Sequence, residues 1–130
     1  MKKLLPIMVI GIFVLSGLGA SAIQVFNDEI ENLFSISFQT FPKSSNGIFH
    51  ILEHIVLCGS KKFDLKDPFF SMIKRSLNTF MNAFTSSDWN AYHFASQNKT
   101  DFNNLMNVYL DAVFFTRLDE LDFLQEGHRV

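Results

Sequence analysis

Leu33-Phe34-Ser35-Ile36-Ser37-Phe38-Gln39-Thr40 sets Phe34, Ile36 and Phe38 on one side and serines on the other, the period of two that makes a half-buried strand. Within ten residues the period changes. Phe41-Pro42-Lys43-Ser44-Ser45-Asn46-Gly47 is dense in turn formers and ends the strand. From 48 to 57 the apolar residues spread over a broad helical face, and Gly59 stands where a C-cap glycine belongs. Strand and helix therefore alternate in this chain. Further on, Asp67-Pro68 reads as an N-cap with proline at the first helical position, opening a helix to about residue 76. Short strands are expected at 83–85 and 91–96, around the polar turn Ser86-Ser87-Asp88. A helix is expected over 99–115, capped by Asn98 or Thr100, and a last one over about 119–127. There are no repeats, linkers or low-complexity tracts.

With 130 residues, 48% of them hydrophobic and 16 of them phenylalanine, the chain can build a packed core and no more than one domain. The phenylalanines read as core and strand packing. Eleven basic against 13 acidic side chains leave a net charge of -2, so nothing electrostatic points to nucleic acid, and none is expected as a partner. The single cysteine, Cys58, excludes an intrachain disulfide framework and reads as a buried, inert thiol. Residues 1–22 resemble a secretory signal: Lys2 and Lys3, an apolar stretch over 4–18, then Ala20-Ser21-Ala22 for a signal peptidase. The expected division is a signal over 1–22 and a mature domain over 23–130, secreted or extracytoplasmic. An uncut membrane anchor is the alternative, disfavoured because Pro6, Gly11 and Gly17 interrupt a stretch already short for a span.

The helix over 48–57 carries three ionisable groups among apolar neighbours. His50 and His54 stand four residues apart, one turn up the same face, close enough to ligate one ion. Glu53 borders that face and is placed to take a proton from a water the ion activates. His-x-x-Glu-His is the inverted form of the zinc-protease helix motif. A chance match occurs in roughly one chain of this composition in two hundred. Flanked by Ile51, Leu52, Ile55, Val56 and Leu57, these polar groups are expected to be largely buried, and a metal would satisfy them.

The string His50-Ile-Leu-Glu53-His54-Ile-Val-Leu-Cys58-Gly-Ser-Lys-Lys62 resembles the amino-terminal part of presequence proteases, as do Asp67-Pro-Phe-Phe70 and Ser76-Leu-Asn-Thr-Phe-Met-Asn-Ala-Phe-Thr85. So do Ala95-Ser-Gln-Asn98 and Val108-Tyr-Leu-Asp-Ala-Val-Phe-Phe115. Presequence proteases are members of the pitrilysin family of zinc metallopeptidases, related to insulin-degrading enzyme and falcilysin. The resemblance runs from about Asn32 to Arg129. It implies an α+β fold, an antiparallel sheet with helices packed on one face, forming a partial metallopeptidase amino-terminal domain. It implies Zn2+ held by His50 and His54, Glu53 as the catalytic base, and Asn82 and Ala83 on an edge strand that pairs with an extended peptide substrate. The expected activity is zinc-dependent hydrolysis of short unstructured peptides of the presequence or transit-peptide type. The alternative is a catalytically inactive peptide-binding or assembly remnant. The family's third ligand is a glutamate in a segment resembling Asn-Glu-Met-Lys-Gly. No such segment occurs up to Val130, so the chain reads as truncated, with the remainder of the protease or a complementary chain as partner. The resemblance also opens a mitochondrial or organellar location. Phe49, Asp64 and His93 stand where the family usually has proline. His93 reads as a hydrogen-bonded or exposed histidine, Glu126 and His128 as weak candidates for a substitute ligand, and Asn98-Lys99-Thr100 matches the glycosylation pattern.

Overall fold

A computed structural model of the chain describes residues 8–15, 20–26 and 31–128. Its elements run β1 (Met8–Leu15), β2 (Ala20–Phe26), β3 (Asn32–Gln39), α1 (Ile48–Val56), α2 (Pro68–Arg75), β4 (Asn78–Thr85), β5 (Trp89–Ser96), α3 (Lys99–Phe114) and α4 (Glu120–Gly127). The strands form one antiparallel sheet in the order β1-β2-β3-β5-β4. The fold is α+β. Among the described residues no helix is long and apolar enough to cross a membrane.

Register decides where the core lies. Phe34 pairs with Phe94 and Ile36 with Tyr92, so the alternation read in β3 is met by apolar partners on the same face of β5. Phe34 and Phe94 stack with ring centroids 5.1 Å apart, and Phe94 also meets Phe102 at 5.1 Å and Tyr109 at 4.9 Å. Phe102, Leu105, Tyr109 and Ala112 come from α3, and Val56 and Leu57 from the end of α1, so both helices cover this one face. Ser35 and His93 pair across the same two strands at the next position, on the opposite face, with Ser35 Oγ 2.9 Å from His93 Nδ1.

Several boundaries differ from the sequence reading. Gly59 does not cap α1, which ends at Val56 with Leu57 as its cap residue. Its small size serves contact instead: a Cβ there would lie 3.2 Å from the Leu65 carbonyl oxygen and 3.3 Å from the Arg117 guanidinium. The left-handed glycine of α1 is at the other end, where Gly47 (φ 71°) turns the chain into the helix. Asp67 precedes α2 as expected, yet it is itself left-handed and its carboxylate makes no capping bond. Asn98 and Asp119 do cap α3 and α4, accepting from the Asp101 and Leu121 amides. The strands expected at 83–85 and 91–96 are longer, running over Asn78–Thr85 and Trp89–Ser96, where pairing between β4 and β5 extends the ladder.

The segment read as a signal supplies β1 and the first residues of β2, and β2 runs across the expected boundary after residue 22. Backbone pairing of β2 with β3, from Ala20 opposite Phe38 to Val25 opposite Leu33, carries the sheet into that segment.

Burial lowers the pKa of His93. The unfolded chain, with an ordinary imidazole near pH 6.5, therefore binds more protons than the folded one just below that pH. Stability is expected to be full above about pH 6.5 and to fall as the pH drops through the folded value. Urea midpoints of the metal-free protein at pH 7.5 and 5.5 check this, and His93→Gln should lose less between the two.

Candidate active site

Placement of the site begins with the segment that leaves α1 and the one that enters α4. Arg117 donates its backbone N–H to the Gly59 carbonyl (3.1 Å), Lys61 donates to that of Phe115 (3.0 Å), and Ser60 bridges Thr116. The Arg117 side chain adds ion pairs to Asp64, Asp122 and Asp119. These contacts tie the chain entering α4 to the chain leaving α1. As a result Glu126, 72 residues on in sequence, meets His54, with Oε2 2.9 Å from Nδ1.

His50 and His54 share a helix face, their rings 5.0 Å apart centroid to centroid. His50 is exposed and His54 half-buried, whereas Glu53 is buried beside them. The expectation that all three would be largely buried is thus corrected for His50. The polar groups are also satisfied by the protein itself: Glu53 accepts a hydrogen bond from the Thr85 hydroxyl, and His54 faces Glu126. Where Glu126 is a carboxylate it can only accept, and His54 then carries its proton on Nδ1 with the Nε2 lone pair open to another partner. That is the second-sphere arrangement that orients metal-ligating histidines. Two imidazoles one turn apart, one with its tautomer set, fit two positions of a tetrahedral zinc. Among the described residues no group of three or more His, Cys, Asp or Glu side chains is arranged to hold a metal ion. His128, the C-cap residue of α4, is exposed.

A cleft of about 250 Å³ opens along this face, lined by Glu53, His54 and Glu126 on one side and by Leu57, Phe69, Phe70, Asn82 and Ala83 around it. Asn82 and Ala83 lie on β4, which among the described residues pairs with β5 alone and forms an edge of the sheet. The Ala83 N–H donates to the Asn82 side chain (2.9 Å). An incoming extended peptide could take that donor over. Cys58 also lines the cleft and is buried, its Sγ 3.4 Å from the His54 carbonyl oxygen. Burial, with Asp122, Asp67 and Glu126 adding to it, pushes its thiol up to about 12. At pH 8 only about one thiol in 10⁴ is then ionised, so alkylation by iodoacetamide should run on the order of 10³-fold slower than for an ordinary cysteine. Timed mass spectrometry of the folded protein measures this.

Three side chains at the site escaped the sequence reading: Thr40, Thr85 and Asn90. Thr85 and Asn90 pair across β4 and β5, and no local spacing links either to Glu53. Glu126 was singled out by its residue type alone, and its role became visible only with α4 in place.

An α+β domain with two imidazoles and a buried glutamate on one helix face, beside an open sheet edge, has the build of a metallopeptidase half-site. Residues 41–129 match the insulinase family, peptidase family M16, and the chain belongs to that family. It is 58% identical over 112 residues to the mitochondrial presequence protease of Xenopus tropicalis, covering 86% of this chain and 11% of that protein. The mitochondrial presequence protease of Mus musculus is 54% identical over the same share of each. That of Schizosaccharomyces pombe is 54% identical over 110 residues, 85% of this chain and 11% of the relative. The chain thus spans about a ninth of the length of these relatives. All three carry mitochondrial names, which accords with the organellar alternative and lends the secretory expectation no support.

Proposed function

We propose that this chain carries the helix-borne part of a zinc metalloendopeptidase site that hydrolyses short unstructured peptides, of the presequence or transit-peptide type. The observation that carries the reading is the convergence in one cleft of Glu53, of His54 paired through Nδ1 with Glu126, and of the Asn82–Ala83 edge. His50 and His54 would hold the zinc. Bound there, zinc would polarise the scissile carbonyl and acidify the attacking water. Glu53 takes the proton of that water and later returns it to the leaving amine. The β4 edge aligns the peptide by strand addition, and Leu57, Phe69 and Phe70 offer an apolar wall for one substrate side chain. A firm zinc site requires a third protein ligand. We assign it to a carboxylate from the remainder of the protease or from a complementary chain. The mitochondrial names of the relatives support an organellar location.

The second reading is a catalytically inactive module that presents β4 to peptides, and the arrangement of only two imidazoles among the described residues favours it. Removing zinc from the full-length protein with a chelator and restoring it, with cleavage of a quenched fluorescent peptide as readout, separates the two. Turnover lost and regained with zinc supports the peptidase. Turnover indifferent to chelation overturns the zinc reading, and peptide bound but never cleaved establishes the second.

A further inference from the structure

Four polar side chains form one hydrogen-bonded chain behind the cleft. The Thr40 hydroxyl donates to Asn90 Oδ1 (2.9 Å). Asn90 Nδ2 donates both to the Phe49 carbonyl in α1 (2.9 Å) and to Thr85 Oγ1 (2.7 Å). Thr85 in turn donates to Glu53 Oε2. The direction of every bond is determined. A carbonyl can only accept, so the amide face of Asn90 toward Phe49 must be its NH₂. That NH₂ also donates to the Thr85 oxygen, and as a carboxylate Glu53 has no proton to give, so the Thr85 proton points at Glu53.

The chain joins three elements. Asn90 is 3% exposed on β5, Thr85 ends β4, and Phe49 lies in the first turn of α1. In an α-helix the carbonyl of residue 49 is the one that receives the amide of residue 53. Asn90 therefore holds the backbone beneath Glu53 while, through Thr85, it holds the end of the same side chain. With Oε2 engaged, Oε1 is the oxygen left to meet a water in the cleft.

We propose that Thr85 and Asn90 are positioning residues that hold the Glu53 carboxylate in one orientation for proton transfer. The inference rests on the reading of Glu53 as the general base. The bland alternative is that they only close the β4–β5 hairpin, and the two are told apart by pairing variants. Thr85→Val keeps the shape without the proton, and Thr85→Ser keeps the proton in a smaller side chain. In the zinc-loaded full-length protein, Thr85→Val should lower kcat by about 10- to 100-fold with KM within about twofold and zinc content unchanged, because misplacement of about 1 Å is worth that much. Thr85→Ser should recover most of the rate. Asn90→Ala should fall into the same range, and the double variant should lose less than the two single losses multiplied, since both act on Glu53 through Thr85 and only the Phe49 contact belongs to Asn90 alone.

Crystal structures of the metal-free variants supply a readout independent of turnover: Glu53 in one rotamer in the unaltered protein and Thr85→Ser, and spread over two or more in Thr85→Val. Should Thr85→Val fail to fold, Thr85→Ala takes its place in every arm. Thr85→Val with unaltered kcat and a single Glu53 rotamer overturns the proposal, as do equal losses in the Ser and Val variants. If Glu53→Gln is inactive while Thr85→Val is not, the positioning role fails and the base stands. If the unaltered protein cleaves no peptide, the reading of Glu53 as base fails instead, and the rotamers still decide whether Thr85 orients it.

Discussion

Glu53→Gln in the full-length protein should lower turnover of an unstructured peptide by about 10²- to 10⁴-fold, the usual worth of a positioned general base. Zinc should stay bound. The substitution leaves both imidazoles untouched, and glutamine has the same length and nearly the same volume. Its amide oxygen can still accept from Thr85, so the buried position on α1 remains satisfied. Only the capacity to take a proton is removed. Rate and zinc stoichiometry measured on one preparation test this, and loss of both together would mean that Glu53 shapes the site rather than acting in it.

His54→Ala should cost more: metal and activity should disappear together, because one of two imidazole ligands is gone. Glu126 gives the contrast. Glu126→Ala removes the acceptor that holds His54 Nδ1 protonated, and loss of such a partner typically weakens metal binding by about 10- to 100-fold. Glu126→Gln should be milder, since its amide oxygen can accept the same bond. Titration of the purified variants against a competing zinc chelator ranks the three. A Glu126→Ala protein with unweakened zinc binding would show that the Glu126 contact is packing alone. Equal loss in Glu126→Ala and His54→Ala would mean that Glu126 is a ligand in the loaded site.

How far a residue could be read from sequence follows from how local its cause is. His50, Glu53 and His54 lie within five positions on one helix, so the 3.6-residue repeat alone places the two imidazoles together, as their ring contact bears out. Asn98, one of the two caps expected for α3, caps that helix, which begins at the next residue, whereas Asp119, expected inside the last helix, is its cap instead. Phe34, Ile36 and Phe38 alternate, and β3 follows. Gly59 misled because a glycine after a helical run serves equally as a left-handed cap or as space for a neighbour. Here the neighbour is Arg117, distant in sequence.

From its sequence alone this chain has a mixed α+β character, a histidine pair on one helix face and a resemblance strong enough to name a family, because each depends on local periodicity or on a contiguous motif. Tertiary structure alone decided that Glu126 stands behind His54 and that Thr85 and Asn90 stand behind Glu53. Those pairings join residues 32 and 72 positions apart, through the β4–β5 ladder and through the Arg117 contacts that dock α4. No short-range pattern encodes them. They follow from chain folding, which repays the entropy of bringing distant segments together with the apolar burial of Phe94, Phe102 and Tyr109.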